Sequence, residues 1–258
     1  MSIITNTNFL IQLLAGIFVG GVSGYLGSLM LSRKMTIVVD PLSHLALPGI
    51  ALALILQKDV SVGAFLFLFF GTILIWFLEQ KTKLPTETII AILFSTTLAS
   101  TFLFLSKEEI EEAIFGDISK MGLWEGIITI LICFFIFFLI KNIYSKLTLI
   151  LVSEDLAKSE GINVKKIQFL YLFAIALMVA LAVKFVGGLL IAGLVSLPPA
   201  SARNLTKNLK SYKIFSILIG LSAVFLGIFL AKFYHLPIGS LIILLLFLIF
   251  LASLIFKR

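Results

Sequence analysis

The sequence predicts an all-α protein that crosses a membrane many times, and its composition carries this prediction. Of the 258 residues, 60% are hydrophobic and only 13% are charged, and the mean hydropathy is +1.19. Soluble domains typically contain about 45–50% apolar residues. Because a spanning helix needs about 20 mostly apolar residues, the chain has room for about eight or nine spans and for no soluble catalytic domain. We therefore expect residues 1–258 to form a single transmembrane domain.

Apolar runs bounded by charged and turn-forming residues mark the expected spans. They are residues 9–31, 41–57, 61–78, 89–106, 123–140, 168–184, 187–201, 214–231 and 238–256. The run 187–201 is short, which leaves the number of spans at about eight or nine. In the first run, Gly16, Gly20 and Gly24 recur every fourth residue and predict a face where another helix approaches closely.

The basic residues predict the orientation of the chain. Alternating spans from an external N-terminus place Arg33, Lys34 and most of the 20 Lys and Arg residues in the cytoplasm. The C-terminus then also lies inside. Because orientation accounts for the net charge of +7, that charge does not indicate binding to nucleic acid.

Asp40 and His44 are the first candidate functional residues. They lie four positions apart, on one face of a helix that Asp40 can cap and that Pro41 can begin. A carboxylate and an imidazole suit zinc, manganese or iron(II). Alternatively, Asp40 only caps the helix and His44 bonds to a neighbouring helix, but ionisable residues in a membrane are costly and usually functional. We expect Pro48 and Gly49 to bend or break this helix.

Other polar positions are less specific. His235 lies at the outer end of the eighth predicted span, where a surface residue is slightly favoured over a metal contact. Lys184 lies between two apolar runs and either reaches the outer surface or is buried with a carboxylate. Pro198 and Pro199 are expected to end or kink the seventh span, and Arg203 marks the cytoplasmic face.

The segment 153–163 is expected to form a short helix outside the membrane. Ser153 can cap it, Glu154 and Asp155 complement its dipole, and Gly161 can end it after two turns. It is either a surface helix without a partner or an element that docks into a cytoplasmic protein.

Several motifs of enzymes are missing from the sequence. No P-loop pattern occurs, so any ATPase is a separate chain. Neither histidine belongs to a His-Glu-x-x-His motif, which excludes the common type of zinc protease. The single cysteine, Cys133, cannot form an intramolecular disulfide. We therefore expect that this chain is not itself an enzyme.

Together, the motifs resemble the membrane permease subunit of ATP-binding-cassette importers for zinc, manganese or iron. The matching segments are Gly27-Ser28, Arg33-Lys34, Asp40-x-x-Ser43-His44-x-x-x-Pro48-Gly49, Phe115-Gly116-Asp117, Ser153-Glu154-Asp155-Leu156-Ala157 with Gly161, Lys184-Phe185-Val186-Gly187 with Leu189-Leu190, and Pro198-Pro199-Ala200-x-Ala202-Arg203. Their order and spacing over most of the chain make the match specific. One departure is His235, which stands where many relatives have an acidic residue and would favour zinc if it touches metal.

The resemblance implies a homodimeric, all-helical permease similar to the membrane subunit of the vitamin B12 importer, in the cytoplasmic membrane of a prokaryote. A divalent metal is the transported substrate, and no cofactor is bound permanently. Asp40 and His44 are then the metal-contacting pair in the pathway. Two cytoplasmic ATPase subunits would grip residues 153–163, and an extracytoplasmic protein would deliver the metal. The alternative is a secondary metal transporter that works without an ATPase. Zinc or manganese is favoured as the substrate, and iron is left open.

Overall fold

The computed structural model describes residues 7–32, 39–58, 60–82, 84–104 and 121–256, and every regular element in these ranges is helical. The α-helices are α1 Thr7–Ser32, α2 Val39–Leu45, α3 Leu47–Ile55, α4 Val60–Thr82, α5 Thr86–Phe104, α6 Leu123–Val152, α7 Glu154–Ser159, α8 Val164–Val186, α9 Ile191–Leu205, α10 Leu209–Tyr234 and α11 Ile238–Ile255. A single 3-10 turn, Gly188–Leu190, separates α8 from α9. The all-helical prediction is confirmed in the described ranges.

Six of these helices are long and apolar enough to cross a membrane. They are α1, α4, α6, α8, α10 and α11, within the described residues. The remaining predicted runs correspond to α5, to α9 and to the pair formed by α2 and α3. The chain is therefore a multi-pass membrane protein.

Helix α8 forms the centre of the bundle, and α4, α6 and α11 lie at its rim. In the apolar window of α8, 78% of the residues are buried, compared with 22% in α11. Aromatic side chains such as Phe134 and Phe247 are exposed on the rim helices. This distribution suits a bilayer, where exposed apolar side chains contact lipid.

The glycines of α1 bring it against α10 at backbone distance, in antiparallel orientation. A Cβ atom added to Gly20 would lie 2.6 Å from the carbonyl oxygen of Gly220, and one added to Gly24 would lie 2.2 Å from that of Ser216. One added to Gly16 would meet Ile228 at 2.5 Å. The predicted close-packing face is confirmed, because these contacts leave no room for a side chain.

The second apolar run is broken into two short helices. α2 begins at Val39, one residue before the predicted cap, and α3 begins at Leu47 after a turn at Ala46. At this turn the amide of Ala46 donates to the carbonyl of Ser43 at 3.2 Å. Pro48 has no N–H and its ring would clash with the carbonyl four residues earlier, which accounts for the break. The prediction of a broken helix is therefore confirmed.

Pro198 and Pro199 lie buried inside α9, which continues to Leu205. The expectation that they could end this span is therefore wrong. Proline is tolerated in membrane helices because neighbouring groups approach the carbonyls that lose their partners. Here the carbonyl of Val195, four residues before Pro199, faces Gly27 of α1, where an added Cβ would lie 2.0 Å from it.

Some residues of the predicted motifs lie outside the described ranges. These are Arg33, Lys34, Phe115, Gly116 and Asp117.

Candidate metal pathway

His44 lies half-buried on α2 at the level of the middle of α5. Its ring centroid is 5.2 Å from that of Phe94. Phe94 lies eight residues after the start of α5, or about 12 Å along the helix axis. The imidazole therefore packs beside the middle of α5 rather than at either of its ends.

Asp40 lies on α2 one helical turn before His44. The side chain of Asp40 lies outside the described part of the structure. Among the described residues, no group of three or more His, Cys, Asp or Glu side chains could hold a metal ion. The histidine therefore supplies one ligand candidate at this level, and its role with Asp40 stays a prediction.

Ser43 connects α2 to the break between α8 and α9. Its hydroxyl donates to the carbonyl of Gly188 at 2.8 Å, and its side chain is fully buried. The break itself depends on Gly187, whose φ of +76° is in the region that favours glycine. Sequence reasoning quoted Ser43 in the motif but gave it no role of its own. A hydroxyl next to a histidine in an apolar run was the available signal.

Lys184 is partly buried and pairs with a carboxylate, as the second of its two predicted environments requires. Its Nζ atom lies 3.0 Å from Oε2 of Glu125, and the two side chains are 14% and 40% exposed. Lys184 is in the last turn of α8 and Glu125 is in the first turn of α6, so each charge also complements its helix dipole. The sequence analysis did not single out Glu125.

An open, largely apolar cleft of about 460 Å³ begins beside His44 at Leu45 and Pro48 and runs between α3, α4 and α5. The hydroxyls that line it on α5 are those of Thr97, Ser100 and Thr101. Each donates to a carbonyl of its own helix. The cleft therefore offers space beside the candidate pathway, and its few hydroxyls already donate within α5.

His235 ends α10 as an exposed residue in the left-handed conformation, with φ 55° and ψ 40°. Its backbone N–H donates to the carbonyl of Ala231 and so closes the last turn. This geometry accounts for the residue structurally. A metal contact at His235 stays a prediction.

The segment 153–163 contains the predicted short helix. The hydroxyl of Ser153 accepts from the amide of Leu156 at 3.2 Å, which makes it the N-cap of α7. After α7, the amides of Gly161 and Ile162 donate to the carbonyls of Lys158 and Ala157, and Gly161 has φ +73°. These bonds form a glycine-based Schellman cap, so the predicted helix and its end are confirmed.

The exposed face of α7 carries charge and one apolar side chain. Lys158 lies 3.0 Å from Glu154 and 3.7 Å from Asp155. The hydrogen bond that the Lys158 ammonium donates to the Glu154 carboxylate is the main cause that raises the pKa of Lys158 above its ordinary value. Leu156 is 48% exposed, whereas Ala157 is buried against the body. The helix therefore presents a leucine flanked by charges to the surroundings.

The chain matches the model of a known protein family over nearly its whole length. The model of the ABC 3 transport family matches residues 6–257. The chain belongs to the ABC 3 transport family. The assignment that the sequence motifs indicated, to permeases of metal importers, is thereby confirmed.

Relatives within this family are permeases of zinc and manganese systems. The high-affinity zinc uptake system membrane protein ZnuB of Buchnera aphidicola subsp. Baizongia pistaciae is 29% identical over 237 residues, covering 89% of this chain and 90% of the relative. The manganese import system permease protein ScaB of Streptococcus gordonii is also 29% identical, over 245 residues, covering 93% and 88%.

The fold is also similar to solved structures. PsaBC from Streptococcus pneumoniae in complex with Fab matches with a TM-score of 0.79 and 30% identity, over 94% of this chain and 89% of that one. A putative metal-chelate type ABC transporter in an inward-facing conformation matches with a TM-score of 0.76. Its 17% identity, over 95% of this chain and 85% of that one, supports the fold alone.

Proposed function

We propose that this chain is the permease subunit of an ATP-driven importer that moves a divalent transition metal across the cytoplasmic membrane of a prokaryote. The observation that carries the proposal is His44, on a broken helix at the middle level of the bundle, with Asp40 one turn earlier. Ionisable residues at such depth usually mark an ion pathway. Zinc and manganese are the favoured substrates because related permeases carry those names, and iron is left open.

The pathway is completed by a second copy of the chain. In the described ranges, the candidate ligands of one copy at this level are Asp40 and His44, which is fewer than a metal site normally has. Twofold symmetry doubles this set around an axis between the copies. We therefore infer a homodimer with the pathway along its axis, eight or nine spans per copy, and an architecture of the vitamin B12 importer type.

The N-terminus lies outside and the C-terminus inside. Two cavities and the cation–π contact of Lys213 with Tyr144 lie at one end of the bundle. They bring together the end of α1, the end of α4 with the start of α5, the parts of α6 and α8 that flank α7, and the α9–α10 turn. Basic residues at this end include Lys81, Lys146, Lys158, Lys165, Lys166, Arg203, Lys207, Lys210 and Lys213. Among the residues that the structure describes, the basic residues at the opposite end are Lys58, Lys184 and Lys232. Cytoplasmic ends of membrane proteins have this excess.

Helix α7 is the contact for a pair of cytoplasmic ATPase subunits. It lies at the basic end, it is held by a cap on each side, and it exposes Leu156. ATP binding and hydrolysis on those subunits would move α7 with the ends of α6 and α8 that flank it. An extracytoplasmic metal-binding protein would deliver the ion to the other end, and the dimer would alternate access around Asp40 and His44.

The test is uptake of radioactive zinc and manganese by proteoliposomes that contain this chain with its ATPase and binding protein. Wild type is expected to accumulate one metal only when ATP is present inside. Asp40→Asn and His44→Ala should each lower uptake by at least about tenfold, because each removes a ligand, while assembly with the ATPase is retained. Unchanged uptake in both variants would remove these residues from the pathway.

The same experiment also tests the alternative function. Uptake driven by an ion gradient, by this chain alone and without ATP, would identify a secondary transporter. The presence of α7, a capped helix with an exposed leucine at the basic end, favours the ATP-driven importer.

A further inference from the structure

We propose that Ser43 is a positioning residue of the metal pathway, which fixes the rotation and depth of α2 through its hydrogen bond to Gly188. The expected effect on transport rests on the proposed function, but the position of α2 and its hydrogen bond do not. The first step is the length of α2. It has seven residues and is followed by a break, and helices of this length are not stable on their own. Contacts with other elements must therefore hold it in place.

The hydroxyl of Ser43 makes the polar contact that can do this. It reaches 145 positions along the chain to the carbonyl of Gly188 at 2.8 Å. Within the body of a membrane protein, a hydrogen bond between elements is directional, whereas contacts between apolar side chains allow sliding. The bond therefore fixes both the height of α2 and its rotation about its axis.

The rotation matters because Ser43 and His44 are adjacent. Successive residues of an α-helix point about 100° apart. When Ser43 faces the break between α8 and α9, His44 is turned toward Phe94 of α5, where the structure places it. A change in the rotation of α2 would therefore move the imidazole.

The acceptor is itself held firmly. Gly188 follows Gly187, whose positive φ ends α8. Three residues before Gly187, Lys184 pairs with Glu125 of α6 at 3.0 Å and ties the end of α8 to a second helix. The Ser43 bond thus fixes α2 relative to α6 and α8 together.

A buried serine whose hydroxyl bonds only within its own helix provides a control for this proposal. Ser216 of α10 is also fully buried, but its hydroxyl donates to the carbonyl of Tyr212 on its own helix at 2.8 Å. Ser43→Ala and Ser216→Ala therefore remove the same atom from equally buried sites. Only the first removes a bond between elements.

The transport arm of the test measures uptake per assembled transporter in proteoliposomes with the ATPase and the binding protein. Ser43→Ala is expected to lower the maximal rate about tenfold and to change the zinc-to-manganese ratio. The half-saturating concentration of loaded binding protein should stay unchanged. Ser43→Thr keeps the hydroxyl and should restore most of the rate. Ser216→Ala should transport like wild type.

The second arm measures position without transport. In a Cys133→Ala background, His44→Cys supplies the only thiol, and its alkylation rate by a small thiol reagent reports its exposure. Adding Ser43→Ala should change this rate several-fold, whereas adding Ser216→Ala should not.

Equal alkylation rates in the two double variants would overturn the positioning role, whether or not the protein transports metal. A wild type without ATP-dependent uptake would instead overturn the proposed function. The two failures are therefore distinguishable.

Discussion

The two charges of the Lys184–Glu125 ion pair depend on each other to different degrees, because they differ in exposure to solvent. Lys184 is 14% exposed and Glu125 is 40% exposed, at an Nζ–Oε2 distance of 3.0 Å. A charge that loses its partner is costly only where water cannot replace that partner. The lysine therefore depends on the pair more than the glutamate does.

We predict that Glu125→Gln destabilises the protein more than Lys184→Met. The first leaves the more buried charge without this carboxylate, at a cost of about 1–3 kcal/mol. The second leaves a half-exposed carboxylate that water can solvate, at a cost of about 0–1 kcal/mol. Thermal unfolding of the detergent-solubilised protein measures both. Equal or reversed effects would contradict the assigned burial of the two charges.

For single residues, the sequence indicated which side chains are candidates for function, but it did not indicate which residues these side chains contact. Asp40 and His44 stood out because ionisable residues are rare in apolar runs. The partners of Ser43 and Lys184 lie 145 and 59 positions away in the sequence. No local pattern encodes such pairings, because they arise when separate helices pack.

Helix α7 has strong local signals at both of its ends. The cap of Ser153, the acidic first turn and the positive φ of Gly161 are local, so the sequence predicted this short helix correctly. Its exposed surface, by contrast, is free to contact another protein.

We predict that reversing the charges at Glu154 and Asp155 uncouples the permease from its ATPase. Two lysines in the first turn would oppose the helix dipole and leave Lys158 without its carboxylate partners. Co-purification with the ATPase and stimulation of ATP hydrolysis should both fall. Glu87→Lys, which changes an exposed acid in the first turn of α5 and lies outside the segment 153–163, is the matched control. Full coupling in the double variant would rule out α7 as the contact.

Helix ends were harder to predict than helix centres. The run 123–140 belongs to α6, which continues to Val152 past Lys141 and Lys146. Its 30 residues extend about 45 Å, longer than a bilayer core, so the last turns leave the lipid and no longer need apolar residues. Hydropathy detects only the part of a helix that lies in lipid.

For the whole molecule, the determining feature is how closely the helices approach one another. Without a hydrophobic drive in lipid, helices associate through close packing and interhelical bonds. The contact of Gly20 with the carbonyl of Gly220 brings two backbones together near the middle of the bundle. The glycine spacing predicted this face, but the sequence did not reveal that α10 occupies it.

We predict that Gly20→Ala greatly reduces the yield of folded protein, because the new Cβ would lie 2.6 Å from the carbonyl oxygen of Gly220 and from Val224. Gly71→Ala is the matched control, since the atom nearest its Cβ would be Cδ1 of Leu45 at 3.9 Å. That variant should fold normally and gain up to about 1 kcal/mol from helix propensity. Size-exclusion profiles and melting temperatures measure both. Equal behaviour would contradict the backbone contact.

The depth of His44 was also a property of the whole molecule. Hydropathy assumes that each apolar run begins at a membrane surface, and α2 lies beside the middle of α5 instead. The assembled bundle, rather than the order of apolar runs, sets the level at which a side chain lies.

The turn at Ala46 affects how easily the run that contains α2 and α3 opens locally. α2 and α3 share no continuous ladder of backbone hydrogen bonds, because Pro48 has no N–H and the amide of Ala46 donates only three residues back to Ser43. We therefore expect this run to open locally more easily than an unbroken helix of the same length. Hydrogen exchange of the amides in this run is expected to be fastest beside the turn, two residues after His44. In the proposed transport cycle, a local opening at this turn would let the chain accommodate an ion while the glycine-packed helices around it remain intact.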